Sequence, residues 1–318
     1  MKNILAVMPI DSDYFCDEIS KAAGENKVKF VFAKDVEQSD VDNADIVIGN
    51  VPPKFLKEQE IEFMQLTSAG ADAYVKEGVL SRDTVLCCST GAYSQTVAEH
   101  ALASTLMLIK NLHLYRDDQM NSKWTDEGDT SSVDGATVLV MGLGDIGRYY
   151  ARMVKALGAY VIGVNRRGGN KPEFVDELYT TDQFDKIVPR ADIIMSILPG
   201  TASTEYFYTI ERFKLMKNSA VFLNMGRGNA VSADVLYEAL TNGYIRSAAV
   251  DVFEKEPLDS SSKLWSLKNL AITPHASGFF HLPATIRRVT DICASNLNSY
   301  LNGGELKNII DYESGYKK

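Results

Sequence analysis

Three residues in the C-terminal half of the chain have the types and settings that acid–base chemistry on a small acid requires. Arg227 lies in Asn224-Met-Gly-Arg-Gly228, Glu256 in Asp251-Val-Phe-Glu-Lys-Glu-Pro257, and His275 in Thr273-Pro-His-Ala-Ser-Gly278. Each segment follows a short apolar run that reads as a strand. Each therefore falls at a strand's C-terminal end, the edge where open α/β sheets bind ligands. Arginine there can grip a carboxylate with two parallel hydrogen bonds and hold it for reaction. A histidine can give a proton to a developing alkoxide, or take one from an alcohol. A carboxylate touching the imidazole would orient the ring and stabilise its charged form. The trio suits hydride transfer to the carbonyl of a 2-oxo acid. Plainer alternatives stay open for each: a solvated or phosphate-binding arginine, a carboxylate at a helix start, a histidine satisfied within a loop. Of the four histidines, His275 has the best setting. His100 and His113 fall inside a long helical stretch, and His281, a weaker competitor, lies near the start of another.

A second constellation supplies a partner for that chemistry. The apolar run Thr137–Met141 meets Gly142-Leu-Gly144-Asp145-Ile146-Gly147, a helical stretch follows from Arg148 to Leu157, and a second apolar run covers Tyr160–Val164. This is the strand, glycine turn, helix and strand of a dinucleotide-binding unit. Its first glycine allows a tight turn, the second a close approach to pyrophosphate, and the third close helix–strand packing. An ordinary strand-to-helix turn is the plainer reading. An NAD site usually ends the second strand with Asp or Glu for the ribose hydroxyl. Here Asn165 stands at that place, and Arg166 and Arg167 follow. Asn does not repel a 2′-phosphate, and each arginine can donate charge-assisted hydrogen bonds worth about 1.5–3 kcal/mol. NADP(H) is therefore favoured and NAD(H) remains possible; the alternative is a solvated basic turn.

The elements that must position these groups form an α/β pattern across 318 residues, enough for two domains. Strands are expected at Asn3–Met8, Val28–Phe32, Asp45–Gly49, Phe63–Thr67 and Val85–Cys88, and after the glycine unit at Asp192–Leu198, Ala220–Asn224, Ser247–Asp251 and Leu270–Thr273. Near-continuous apolar strands suit a parallel sheet covered on both faces. One long amphipathic helix is expected over Tyr93–Asp118, its stripe carried by Ala98, Ala101, Leu102, Thr105, Leu106, Leu108 and Ile109. Polar residues from Gln119 to Asp134 read as a loop or arm. Further helices are expected over Ala233–Thr241 and Pro283–Leu301. The fold expected is two-domain α/β: a dinucleotide-binding domain (99–282) inserted into a smaller substrate domain (1–98 and 283–318).

A net charge of −9 with no long basic block argues against nucleic-acid and anionic-membrane partners. Asp11 and Asp13 interrupt the first apolar run too early for a signal peptide or a membrane span. The four cysteines lack metal-ligand spacing, and no metal is expected. They read as buried thiols in a reducing compartment, and the location expected is cytoplasmic.

Taken in order, these blocks resemble the signatures of the D-isomer-specific 2-hydroxyacid dehydrogenases: the glycine turn, Asn224 to Val231, Asp251 to Leu258, and Thr-Pro-His275. Thr96-Val-Ala-Glu-His100 resembles the family block that opens the interdomain helix. The resemblance covers nearly the whole chain and is strongest over 96–278. It implies a Rossmann domain inserted in a flavodoxin-like one, usually in a homodimer, and reduction of a small 2-oxo acid of the glyoxylate or hydroxypyruvate type. It also implies Arg227 as substrate ligand, Glu256 as support for the histidine, and His275 as acid/base. Implied cofactor contacts, besides the glycine turn with Asp145 and Ile146, are Asn165 and the arginines after it, Leu198, Pro199, Met225, Gly226, Asp251, Ser277 and Gly278. Thr67-Ser68-Ala69-Gly70-Ala71 resembles the family's substrate loop, whose backbone N–H groups would meet the carboxylate; a simple turn is the other reading of Gly70. Formate dehydrogenases place Gln where this chain has Glu256, which argues against formate, while phosphite oxidation stays open. The alternative outside enzymology is a dinucleotide sensor or corepressor-like interaction protein on the same scaffold.

Overall fold

A computed structural model describes residues 1–57 and 59–317. The chain divides into two compact units, Met1–Tyr93 with Phe279–Lys318, and Ser94–Gly278.

The first unit runs β1 (Asn3–Met8), α1 (Asp13–Ala23), β2 (Lys27–Phe32), α2 (Gln38–Val41), β3 (Ile46–Ile48), β4 (Phe63–Gln65) and β5 (Val85–Cys87). These strands form a parallel sheet in the order β2-β1-β3-β4-β5, the flavodoxin-like arrangement. The inner strands are apolar along their length because both faces are covered; β3 and β4 are buried throughout. β2 alternates lysines with apolar residues (Lys-Val-Lys-Phe-Val-Phe), as an edge strand does. Ser12 caps α1 by accepting the Phe15 N–H, Phe15, Ile19 and Ala23 form its buried stripe, and Gly24 ends it at φ 59°. Burial pushes the Cys87 and Cys293 thiols up to about 12, so both stay protonated and inert.

The second unit opens with α3 (Ser94–Ile109) and α4 (Leu112–Met120). The single long helix expected over Tyr93–Asp118 is thus broken. Asn111 adopts φ 56°, a left-handed conformation that Asn tolerates better than most residues. Its amide is buried and fastened on both sides: Nδ2 donates to the carbonyls of Glu127 and Asp129, and Oδ1 accepts from Arg246 at 2.7 Å. Then come β6 (Thr137–Met141), α5 (Asp145–Ala156), β7 (Tyr160–Asn165), β8 (Glu177–Thr180), α6 (Phe184–Ile187), β9 (Ile193–Ser196), α7 (Ile210–Leu215), β10 (Val221–Asn224), α8 (Ala233–Thr241), β11 (Ser247–Val250) and β12 (Leu270–Ile272). The sheet order is β12-β11-β10-β9-β6-β7-β8, the doubly wound order with its switch point beside β6. β8 is a strand that the apolar pattern did not announce. It lies at the sheet edge and is polar, with Arg190, Tyr160 and Tyr179 all bonded to Glu177. Elsewhere in the unit, α3 packs on α5, and the buried hydroxyls of Thr105 and Tyr150 bond at 2.8 Å.

After Gly278 the chain returns to the first unit, where α9 (Pro283–Asn302) packs against α1 and a short hairpin, β13 (Ile310–Asp311) with β14 (Tyr316–Lys317), ends the described chain. Buried Asn296 fastens α9 to the sheet by bonding Gln65 and the Lys307 backbone.

Candidate active site

The ends of six parallel strands in the second unit stand level. Register pairs run Val164–Met141–Ser196–Asn224–Val250–Ile272 across the sheet. The glycine turn, Leu198-Pro199, Arg227, Asp251 to Glu256, and His275 all follow these residues. One sheet edge therefore carries every second-unit residue expected to touch cofactor or substrate.

At the switch point, Gly142 has φ 103°, and a Cβ there would sit 2.6 Å from the Ile197 carbonyl oxygen. A Cβ at Gly147 would sit 2.0 Å from the Gly142 carbonyl oxygen. Only glycine allows α5 to start this close to β6. The helix begins at Asp145, inside the motif and earlier than expected. Its N-cap, Gly144, provides no side-chain cap. Backbone N–H groups of the first turn and the positive end of the helix dipole are thus arranged as an anion site, and this cradle fits a dinucleotide pyrophosphate.

At the end of β7, Asn165 spends its amide on the turn that follows. Oδ1 accepts the Gly168 N–H at 2.5 Å and Nδ2 donates to the Gly168 carbonyl at 3.0 Å. Arg166 and Arg167 occupy that turn and are exposed. Neither guanidinium has a hydrogen-bond or ion-pair partner among the described residues. Asn165 acts as the staple of a basic turn, and the two arginines supply its charge.

Gly226 packs under Leu198, whose backbone nitrogen and oxygen would lie 2.7 and 2.6 Å from an added Cβ. Asn224, fully buried at the end of β10, accepts the Gly226 N–H and donates to the Arg227 carbonyl. Gly228 sits against the Phe253 backbone, where a Cβ would come within 2.0 Å. The backbone around half-buried Arg227 is thereby locked between two neighbours. No motif marks Asn224 for this role; its one signal in the sequence is a polar side chain closing an otherwise apolar strand.

Glu256 and His275 are brought into contact. Glu256 Oε1 accepts the Phe253 N–H at 2.9 Å, and Oε2 meets His275 Nδ1 at 2.7 Å. An ionised carboxylate only accepts, so Nδ1 carries a proton towards Glu256 and Nε2 is the nitrogen left for proton exchange. His275 is exposed and has φ 52°, a left-handed backbone that costs a non-glycine residue about 1–2 kcal/mol. Two backbone bonds hold it there, from His275 N–H to the carbonyls of Asp251 (2.8 Å) and Thr273 (3.1 Å). Asp251, at 1% exposure, receives Thr273 Oγ1, the Ala276 and Ser277 N–H groups and the Ser277 hydroxyl. Its carboxylate is the knot of the histidine loop. His281, the competing histidine, belongs to the first unit and lies against the Phe279 ring. His100, set aside as an ordinary helical residue, places Nε2 3.2 Å from Thr273 Oγ1.

Ser68, Ala69 and Gly70 lie in the first unit, after β4. Asn50 clasps this loop: its Oδ1 accepts from the Thr67 N–H, the Thr67 hydroxyl and the Ser68 N–H, and its Nδ2 donates to the Ser68 hydroxyl. Ser68 Oγ in turn donates to the Gly70 carbonyl at 2.8 Å. The loop is thus preformed within its own unit.

Comparison with known proteins identifies the family. A family model described as D-isomer specific 2-hydroxyacid dehydrogenase, NAD binding domain, matches residues 102–277. A probable 2-ketogluconate reductase of Dictyostelium discoideum is 31% identical over 79% of this chain and 76% of its own length. A D-isomer specific 2-hydroxyacid dehydrogenase family protein from Aeromonas salmonicida subsp. salmonicida is 29% identical, with a TM-score of 0.84 covering 98% of this chain and 100% of that one. An NADPH-dependent glyoxylate/hydroxypyruvate reductase from Sinorhizobium meliloti, solved with NADP and sulfate, shares the fold at 23% identity, with a TM-score of 0.83 over 99% of this chain and 100% of that one. With its doubly wound sheet, glycine cradle and carboxylate-supported histidine, the chain belongs to the D-isomer specific 2-hydroxyacid dehydrogenase family of NAD(P)-dependent oxidoreductases.

Proposed function

We propose that the protein reduces a small 2-oxo acid, of the glyoxylate or hydroxypyruvate size, with NADPH. The observation that carries this reading is the 2.7 Å contact between His275 Nδ1 and Glu256 at the ligand-binding edge of a doubly wound sheet. NADPH, when bound, supplies the hydride. Gly142, Gly144 and Gly147 with the start of α5 would hold its pyrophosphate, and Leu198, Pro199, Met225, Gly226, Asp251, Ser277 and Gly278 lie on the loops of the same sheet edge. Arg166 and Arg167, presented by the Asn165 staple, favour the 2′-phosphate. Arg227 binds the substrate carboxylate and orients the carbonyl. His275 Nε2 gives its proton to the carbonyl oxygen as that atom gains charge, and Glu256 stabilises the ring in its charged form. Direction follows from the cofactor, since cells keep the NADP pool reduced.

The reading extends to a cytoplasmic homodimer. Leu112, Met120 and Trp124 are exposed on and just beyond α4, a setting that suits a second copy. No helix among the described residues is long and apolar enough to cross a membrane. A panel of 2-oxo acids assayed with NADPH and NADH in parallel tests the proposal. Turnover of a small 2-oxo acid with preference for NADPH is expected. Binding of NADPH with no turnover of any acid would make the protein a dinucleotide sensor instead. Sedimentation at assay concentration tests the dimer.

A further inference from the structure

The loop that carries His275 is gripped near both ends by one face of α3. Thr96 Oγ1 donates to the Ser277 carbonyl at 3.2 Å, and His100 Nε2 lies 3.2 Å from Thr273 Oγ1. Thr96 and His100 are four residues apart, so their side chains stand one above the other on the helix. The direction of the second bond follows from the donor inventory. Thr273 has one hydroxyl proton and lies 2.6 Å from Asp251 Oδ1. The carboxylate can only accept, so that proton goes to Asp251, and Thr273 is left to accept an N–H from His100. The chain of bonds thus runs from His100 through Thr273 to the carboxylate that also receives the Ala276 and Ser277 N–H groups. Between the two anchors stands His275 in its left-handed conformation, which persists only where the surroundings over-determine it. Ser94 and Gly278 are the first and last residues of this unit. The Thr96–Ser277 bond therefore also ties together the points where the chain enters and leaves it.

We propose that His100, seconded by Thr96, is a positioning residue for His275: it fixes the loop that sets where the imidazole Nε2 stands during proton transfer. The proposal rests on the acid/base reading of His275. His100 itself takes no part in the chemistry. A loosened loop spoils the alignment of donor and carbonyl oxygen, and misplacement by about an ångström costs on the order of 100-fold in rate.

The test is a double-mutant cycle in the full-length enzyme, read as kcat for 2-oxo acid reduction and as the dissociation constant for NADPH. His100→Leu should lower kcat by about 10- to 100-fold, a larger factor than any weakening of NADPH binding through Ser277 and Gly278. His100→Gln keeps an N–H at similar reach and should recover most of that loss. In a His275→Ala background, adding His100→Leu should lower the residual rate no further, because the effect passes through His275. Wild-type kcat in His100→Leu overturns the proposal, and so does an undiminished further loss in the His275→Ala background. A His275→Ala enzyme as fast as wild type sinks the acid/base reading itself, a result distinct from either. Should His100→Leu not fold, Thr96→Val removes one hydroxyl at nearly constant volume and carries the same test, with unchanged kcat as the overturning result.

Discussion

Replacing Glu256 by Gln keeps the volume of the side chain and removes its charge. In the native site one carboxylate oxygen takes the Phe253 N–H at 2.9 Å while the other faces His275 Nδ1 at 2.7 Å. Both partners are donors when the imidazole is charged, so the native site needs two acceptors. Gln offers one oxygen and one NH2. With its oxygen towards Phe253, the NH2 opposes the Nδ1 proton and disfavours the charged ring that must deliver a proton to substrate. With its oxygen towards His275, the Phe253 N–H opposes a donor and the loop loses its internal anchor. Either choice leaves one mismatched hydrogen bond, worth about 1–3 kcal/mol in a buried site. The side chains of His275 and Glu256 are 55% and 36% exposed, and water relieves part of that cost. About 1–2 kcal/mol remains, which corresponds to a fall in kcat of about 5- to 30-fold. The assay is NADPH oxidation at saturating 2-oxo acid, with the NADPH dissociation constant measured in parallel and expected to stay unchanged. A Glu256→Gln enzyme with wild-type kcat would show that the carboxylate does not support the acid, and the proposed mechanism would lose its second member.

Substituting Arg166 and Arg167 by Ala should lower the ratio of kcat/KM for NADPH over NADH by about tenfold per arginine, the lower end of a charge-assisted hydrogen bond at an exposed site. A ratio left unchanged by the double substitution would remove the basic turn from cofactor choice. At the other end of β7 and β8, the bidentate Arg190 guanidinium, with the hydroxyls of Tyr160 and Tyr179, holds the Glu177 carboxyl well below the usual carboxylate range. A depressed carboxylate contributes stability at pH values above the ordinary range of glutamate and loses it as pH falls through that range and below. Glu177→Gln should therefore cost about 1 kcal/mol at neutral pH. The difference in Tm from wild type should shrink as the medium is acidified. A gap that stays constant with pH would show that shape rather than charge holds that edge.

Much of the site was legible because its residues sit in one-dimensional patterns. A parallel strand buried on both faces must be apolar, so β6, β9, β10 and β11 appear as short apolar runs, and whatever follows them lands at one sheet edge. Gly142 and Gly147 were legible for a similar reason: their roles are local, set by a turn and by the first turn of a helix. β8 was not legible, because an edge strand need not be apolar, and its polar residues find one another only once Arg190 folds back onto it. The break between α3 and α4 was hidden as well. Periodicity continues through Lys110, and what stabilises left-handed Asn111 is Arg246, together with two carbonyls from the following arm.

From the sequence alone came the doubly wound fold, the glycine cradle, and the candidacy of Arg227, Glu256 and His275, because backbone sterics and strand burial act over a few neighbouring residues. Tertiary structure decided how those groups are held. Which partner a side chain meets depends on chain segments far apart in order, and no local pattern encodes it. So Asn165 turned out to staple a basic turn, Asn50 to clasp the Ser68–Gly70 loop, and Asp251 to knot the histidine loop. His100, passed over as one more helical residue, came to stand against Thr273 because α3 and the end of β12 meet only when the sheet has formed.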